Sequence, residues 1–422
     1  MKKISKWLLL IVSLCSVGIS CKKAKDIEYQ KNWPLVNEYI YKLMKDMYFY
    51  DDKVPTKASM SMYESPSEAL DALTYKTLDV WSYVENVKTM EDFYQNNVAV
   101  AYGFNLVRDA SGNIVICNIA KNSPAQIAGL TRGCKLNTIN GFKLTEIKSF
   151  ADIYPSSAGE TLSLNVTYIN GTSGNVQLTA GQISTETVPL YKIITAPDNT
   201  KFGYIFINNF VQSTPAKIDE AFASFASMGA TNLIVDLRYN GGGMVDAAAY
   251  LANMVVPASV NQKKMFDFIY NPANTKYNQS IYFNKTNTLS FNRVFILTTG
   301  NTASASELFL NVLKPYIDVV QIGETSYGKP VGMNTFTYGD YAIVPITFAT
   351  VNANNEGYYY GGIDPKIAVN EDFSKPLGDA SEPFIAAALN YPTSLVAVKS
   401  FVTPRHDHSL EGKGLHQFIN FY

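Results

Sequence analysis

One serine and one lysine in the second half of the chain have the types and setting of a nucleophile and its base. Ser304 lies in TTGNTASASELFL, residues 298–310, between a strand-like run, RVFILTT, and a helix-like run, SELFLNVL. A serine nucleophile needs a base, donors for the oxyanion, and an exposed but fixed position. A helix start offers donors, because its first N–H groups have no acceptor within the helix. The base is not a core histidine. The chain has 3 histidines, His406, His408 and His416, all near its end. A Ser-His-Asp site in the core is excluded unless that tail folds back. Lysine serves instead when burial lowers its pKa toward neutrality. The candidate is Lys329 in ETSYGKPVG, the turn after the strand-like VVQIG. Turns that follow neighbouring parallel strands meet at one sheet edge, where α/β folds bind ligands.

Each residue also has a plainer reading. Ser304-x-x-Glu307 is a capping box, and most serines before an apolar helix are caps. Ser306 is a second serine in the same turn. The stretch DLRYNGGGM, Asp236 to Met244, places three glycines between a buried strand and a helix. Glycine lets backbone approach a ligand closely, so one of these N–H groups is a candidate oxyanion donor; a tight turn is the alternative. A phosphate cradle is not supported, since neither GxxxxGK[ST] nor GxGxxG occurs here. Cys117 and Cys134 sit in apolar surroundings and read as buried free thiols, a disulfide being the alternative; no CxxC spacing suggests zinc.

The elements that must position these residues follow in order. WPLVNEYIYKLMKDMYF has helical spacing, and Ser65, Pro66 and Glu68 form a helix-start signature, so residues 32–95 read as a small helical N-terminal domain. Residues 96–185 change to short strands and turns. CKLNTINGFKL reads as a strand pair turning at Asn140-Gly141, and TLSLNVTYINGTSGNVQLTA as a hairpin. From residue 186 to 395 strands alternate with helices, which predicts an α/β core with a mixed or parallel sheet and flanking helices. Residues 396–422 read as a polar tail.

At 422 residues the chain has room for two or three domains, and 47% apolar residues are enough for real cores. A net charge of −1 gives no basic field to hold nucleic acid. The N-terminus, with MKK, an apolar run and small residues before Cys21, reads as a signal segment over residues 1–20. Its apolar run is short for a membrane span. GIS-Cys21 resembles a bacterial lipobox, which implies lipidation of Cys21, and residues 21–31 read as a solvated tether.

Taken together, FGYIFINNF, LIVDLRYNGGG, GNTASASELF and GETSYGKPVG resemble, in order and spacing, the carboxyl-terminal processing (tail-specific) peptidases. The resemblance implies a serine endopeptidase with a Ser-Lys dyad. In that family the lysine stands 25 residues after the nucleophile, as Lys329 does after Ser304, which selects Ser304 over Ser306. It implies oxyanion donors at Gly242 and Ala305 and support of the dyad by Glu307. Met333 stands where other members carry a glutamine, and Pro330 replaces a glycine. AYGFNL and NSPAQIAGLTRGCKLNTING resemble a β-rich PDZ domain, with Tyr102, Gly103, Phe104 and Asn105 as the loop that takes a peptide's C-terminal carboxylate. The implied partners are proteins or peptides with free C-termini and a membrane reached through the lipid. No metal or organic cofactor is implied. The implied location is the periplasm or outer membrane. The competing reading is a catalytically inactive PDZ-containing lipoprotein that only binds peptides.

Overall fold

The computed structural model describes residues 33–391, apart from 57–58, 148–152 and 185. The expected signal segment, Cys21, the tether and the three histidines lie outside the described residues.

The continuous apolar runs form the central sheet. Its order is Leu190–Thr195, Lys201–Phe206, Asn232–Asp236, Arg293–Thr298, Asp318–Gly323 and Ile367–Ala368. The first pair is antiparallel and the others are parallel. Parallel strands are covered on both faces, which explains the lack of polar alternation in LIVDL. Leu233 and Val235 face one layer with Phe222 and Phe225 of the helix Thr214–Met228, Leu251 of Val245–Val255 and Phe309 of Ala305–Leu313. Ile234, between them, faces the opposite layer with Phe295 and with Phe384 of the helix Pro383–Leu389. The helix Thr214–Met228 stops at Gly229, whose φ of 74° suits glycine. The strands ending at Asp236, Thr298 and Gly323 point the same way. The glycine turn, Ser304 and Lys329 therefore follow neighbouring strand ends.

The N-terminal segment differs from the helical expectation. Trp33–Met47, Pro66–Leu73 and Val87–Tyr94 are helices, and Ser65 Oγ caps the second by accepting from Glu68 N–H at 3.1 Å. Tyr83–Asn86 is instead a strand, antiparallel to Tyr341–Val344. Its partner lies far along the chain, so local spacing could not reveal it. The helices bury Val36, Ile40 and Leu70 against Val331, Ile343 and Ile346, so this segment shares a core with the C-terminal half. Val331–Met333 and Ile346–Asn352 belong to a four-stranded antiparallel sheet that also contains Lys264–Tyr270 and Gln279–Tyr282.

The middle domain is β-rich, as expected. The strands Thr161–Thr167 and Ser173–Thr179 form the hairpin, and Lys135–Ile139 turns through Asn140-Gly141 onto Phe142–Lys143. Cys117 and Cys134 are buried and free, so the thiol reading holds. Cys117 packs with Tyr204 and Tyr239 of the core. Arg132 pairs with Glu371 at 2.7 Å, and Glu371 pairs with Arg238 at 2.8 Å. Arg238 is fully buried and also meets Asp236 at 2.7 Å and Glu382 at 3.0 Å. Removing one member of such a buried group leaves uncompensated charge, at a cost of about 3–5 kcal/mol. No helix among the described residues is long and apolar enough to cross a membrane.

Candidate active site

Ser304 sits at a sharp strand-to-helix turn. Thr302 Oγ1 donates to Leu237 O at 2.8 Å, and Ala303 N–H donates to Asn240 O at 3.1 Å, so the loop is tied to the glycine turn beside it. Ser304 has φ 55° and ψ −114°, a positive φ that non-glycine residues avoid. Such strain persists only where the surroundings enforce it, and here it presents the side chain at the top of the helix. Ser304 lines a cleft of about 570 Å³ together with Lys329. Ser306 does not line that cleft; it is buried, and its hydroxyl donates to Asn240 O at 3.0 Å. The two serines therefore divide into one open to the cleft and one used for packing.

Lys329 is 4% exposed. Burial pulls its pKa down to about 7, against the opposing pull of the Asp79 and Glu307 carboxylates. Its Nζ lies 3.2 Å from Met333 Sδ and 6.0 Å from the centre of the Trp81 ring. Trp81 and Asp79 come from the N-terminal segment. Asp79 accepts from Tyr48 Oη at 2.6 Å and from the N–H groups of Trp81 and Ser82 at 2.9 Å each. Trp81 Nε1 donates to Tyr327 Oη at 3.1 Å. Sequence reading missed these residues, because nothing local in DVWSYVEN marks it as a wall of a distant lysine. The shared core described above is what brings it there.

Glu307 joins the two halves of the site. Its Oε2 accepts from Ser304 N–H at 2.8 Å and from Lys329 N–H at 2.9 Å. Its Oε1 accepts from Ser326 Oγ at 2.6 Å and from Gly328 N–H at 2.7 Å. Burial raises its carboxyl pKa and these four donors oppose the rise, which leaves it at about 6, so it is mostly ionised at neutral pH. The capping glutamate of the sequence pattern thus also clamps the Lys329 turn. Ser326 was another residue the sequence reading passed over.

At Gly242, the expected oxyanion donor, the N–H is engaged within its own turn. Its N–H donates to Asn240 Oδ1 at 2.9 Å, an i to i+2 side-chain turn that directs the group back into its own loop. Gly241 and Gly243 line the cleft, whereas Gly242 abuts the serine. With φ 111°, a side chain at Gly242 would meet Ser304 Cβ at 2.8 Å, so only glycine fits. Ala305 opens the helix, and its N–H is among those without an acceptor in the helix.

The residues expected to take a peptide C-terminus lie in the middle domain and do not line the cleft. Gly103 has φ 92°, and a side chain there would collide with Ser123 Cβ at 2.0 Å. Tyr102 and Phe104 are buried in the core of that domain. Asn105 is buried as well, and Cys117 Sγ donates to its carbonyl at 3.5 Å. Phe104–Arg108 is an edge strand, paired on one side with Ile114–Ile119. Among the described residues no group of three or more His, Cys, Asp or Glu side chains is arranged to hold a metal ion.

The chain matches the model of peptidase family S41 over residues 201–369 and that of the peptidase S41 N-terminal domain over residues 35–83. It is 25% identical over 283 residues to the carboxy-terminal processing protease CtpA of Bacillus subtilis, covering 66% of this chain and 58% of that protein. It is 25% identical over 372 residues to a CtpA-like serine protease of Staphylococcus saprophyticus, covering 86% of this chain and 70% of the relative. A solved structure described as an S41 protease from Bacteroides fragilis has the same fold, with a TM-score of 0.68, 24% identity, and 83% and 96% of the two chains covered. The photosystem II D1 C-terminal processing protease also shares the fold, at a TM-score of 0.55 and 18% identity over 80% and 93% of the chains. The second of these family models takes in Trp81 and Asp79, so the segment that walls Lys329 is itself part of the match. The chain belongs to peptidase family S41, whose members are serine-type peptidases.

Proposed function

We propose that this protein is an exported serine endopeptidase acting through Ser304 and Lys329. The observation that carries this reading is the shared cleft, lined by Ser304 on a strained helix start and by a buried Lys329 of depressed pKa, with Glu307 tying their backbones together. Neutral Lys329 takes the Ser304 hydroxyl proton as Oγ attacks the scissile carbonyl. The oxyanion rests on Ala305 N–H, and on Gly242 N–H once the Asn240 carboxamide releases it. Giving up that bond costs on the order of 1 kcal/mol. The Lys329 ammonium then protonates the departing amine. A water, deprotonated by Lys329, hydrolyses the acyl ester and restores Ser304.

The middle domain acts as a PDZ module. Its edge strand Phe104–Arg108 adds a substrate's C-terminal segment, and the loop Tyr102–Asn105 takes the carboxylate on backbone N–H groups. Lipidation at Cys21 anchors the protein at the periplasmic or outer-membrane surface. Substrates are proteins or peptides with free C-termini.

The test uses a soluble chain beginning at Lys22 and its Ser304→Ala counterpart, incubated with peptides ending in a free or an amidated C-terminus and followed by mass spectrometry. Cleavage by the wild type alone, faster on free C-termini, is the expected result. Binding of free C-termini without cleavage by either protein would overturn the catalytic reading and leave a peptide binder. The pH profile supplies a second check. Only neutral Lys329 is a base, so kcat/KM should rise about tenfold per pH unit below its pKa of about 7 and level off above it. A profile flat from pH 5 to 9 would contradict a lysine base.

A further inference from the structure

The departure at position 333 places a thioether against the base. Met333 Sδ lies 3.2 Å from Lys329 Nζ, on Val331–Met333, and both residues line the cleft with Ser304. The strand is held by Ile346–Asn352, and Met333 also packs among Val331, Ile343 and Trp81. We propose that Met333 is the positioning residue for Lys329: its sulfur orients the amine while keeping it a free base. The proposal rests on the Ser304–Lys329 reading.

The chemistry of sulfur explains the arrangement. A thioether is a weak acceptor and has no proton to donate. One amine N–H can point at Sδ, which turns the nitrogen lone pair away from it without any group on Met333 competing for that lone pair. A carboxamide at this place would act differently on both counts. Its oxygen is a stronger acceptor and favours the ammonium form, and its N–H₂ can donate to the amine lone pair. The two carboxylates whose charge reaches Lys329, Asp79 and Glu307, are each committed elsewhere. Asp79 accepts from Tyr48, Trp81 and Ser82, and Glu307 from Ser304, Ser326, Gly328 and Lys329 N–H. The Trp81 ring, 6.0 Å away, closes another side. The acceptor strength at position 333, 3.2 Å from the amine, therefore bears on how readily the amine takes up a proton.

Oxidation probes the same feature on the unaltered chain. A peroxide transfers one oxygen atom to Sδ, giving methionine sulfoxide and water, or an alcohol from an organic peroxide. The sulfoxide oxygen is a strong acceptor, so it should act on Lys329 as the carboxamide does.

The experiment measures kcat/KM against pH for the wild type, Met333→Gln, Met333→Leu and peroxide-treated wild type, with sulfoxide sites mapped by peptide mass spectrometry. In Met333→Gln the acidic limb should move up by about one pH unit, a tenfold loss of neutral amine at a fixed pH on that limb. In Met333→Leu, which packs but accepts nothing, the limb should stay put while kcat falls. Oxidised wild type should shift as Met333→Gln does, and methionine sulfoxide reductase should reverse the shift. A merely structural Met333 would lower activity without moving the limb. Limbs that coincide in Met333→Gln, in oxidised protein sulfoxidised at Met333, and in wild type would overturn the inference. If Met333→Gln fails to fold, the oxidised wild type decides alone. Failure of the dyad reading is distinct: the wild type itself would then show no lysine limb, or Ser304→Ala would still cleave.

Discussion

Lys329→Met is expected to lower kcat/KM by about 10²–10⁴-fold, the usual scale for losing a general base, while making the protein more stable. Both effects have one cause. Burial takes the Lys329 pKa from an ordinary 10.5 down to about 7. A neutral amine at physiological pH can accept the Ser304 proton. The same shift means that folding must strip a proton from the lysine or bury its charge. The linkage sign follows: between pH 7 and 10.5 the unfolded chain holds a proton that the folded chain lacks, so stability rises with pH across that window. Below pH 7 the penalty is constant and amounts to roughly 5 kcal/mol. Methionine has similar length and no charge, so it removes that penalty and keeps the packing against Trp81. Lys329→Arg separates charge from basicity, because arginine is never neutral here. It should be as inactive as Lys329→Met and less stable. Urea unfolding and peptide cleavage at pH 6, 7.5 and 9 check both halves. Full activity in Lys329→Arg would exclude a lysine base. A Lys329→Met protein no more stable than wild type at pH 6 would show that the lysine is not buried as described.

Glu307→Gln is expected to cost about 2–5 kcal/mol of stability and to lower kcat by about 10²-fold or more with little change in KM. The substitution keeps size and shape. It replaces one carboxylate oxygen, which accepts from two donors, by an N–H₂ that faces them. With Oε2 replaced, the N–H groups of Ser304 and Lys329 lose their acceptor; with Oε1 replaced, Ser326 Oγ and Gly328 N–H do. Either way a buried donor pair is left unsatisfied. The clamp between the serine turn and the lysine turn then loosens, and a displacement near 1 Å costs on the order of 10²-fold in rate. KM should hold, because Glu307 lies beneath the cleft and not on it: the residues lining the cleft include Ser304 and Lys329 but not Glu307. Equilibrium unfolding and steady-state kinetics above pH 8, where Lys329 is neutral, give the two numbers independently. Loss of stability with kcat intact would make Glu307 a structural cap only. Loss of KM with kcat intact would place it on the substrate.

The amino-acid sequence by itself determined the parts of this protein that depend on near neighbours. The apolar runs ending at Asp236, Thr298 and Gly323 could only be strands covered on both faces, and parallel order then made their following turns converge. The placement of all 3 histidines at residue 406 or later turned the search for a base toward lysine before any geometry was known. Ser304, Glu307 and Lys329 were all legible, the first two as a helix start and the third as a lysine in the turn after the next strand, singled out by the family resemblance.

Tertiary structure decided what spacing cannot carry. Tyr83–Asn86 is a strand because Tyr341–Val344 lies beside it, and a strand's partner is not written in its own residues. Trp81 and Asp79 wall the lysine because the N-terminal helices share a core with Val331 and Ile346. Ser306 and Ser304 have similar neighbours in sequence. Ser304 stands before the helix with non-helical backbone and Ser306 lies inside its first turn, so one opens to the cleft and the other donates to Asn240. Gly242 was expected to offer its N–H outward, and the side chain of Asn240 turned it inward. The lysine pKa belongs to this second group too. The amine is the same in any chain, and only its burial beside Trp81 and Met333, against the opposing pull of two carboxylates, brings it to about 7.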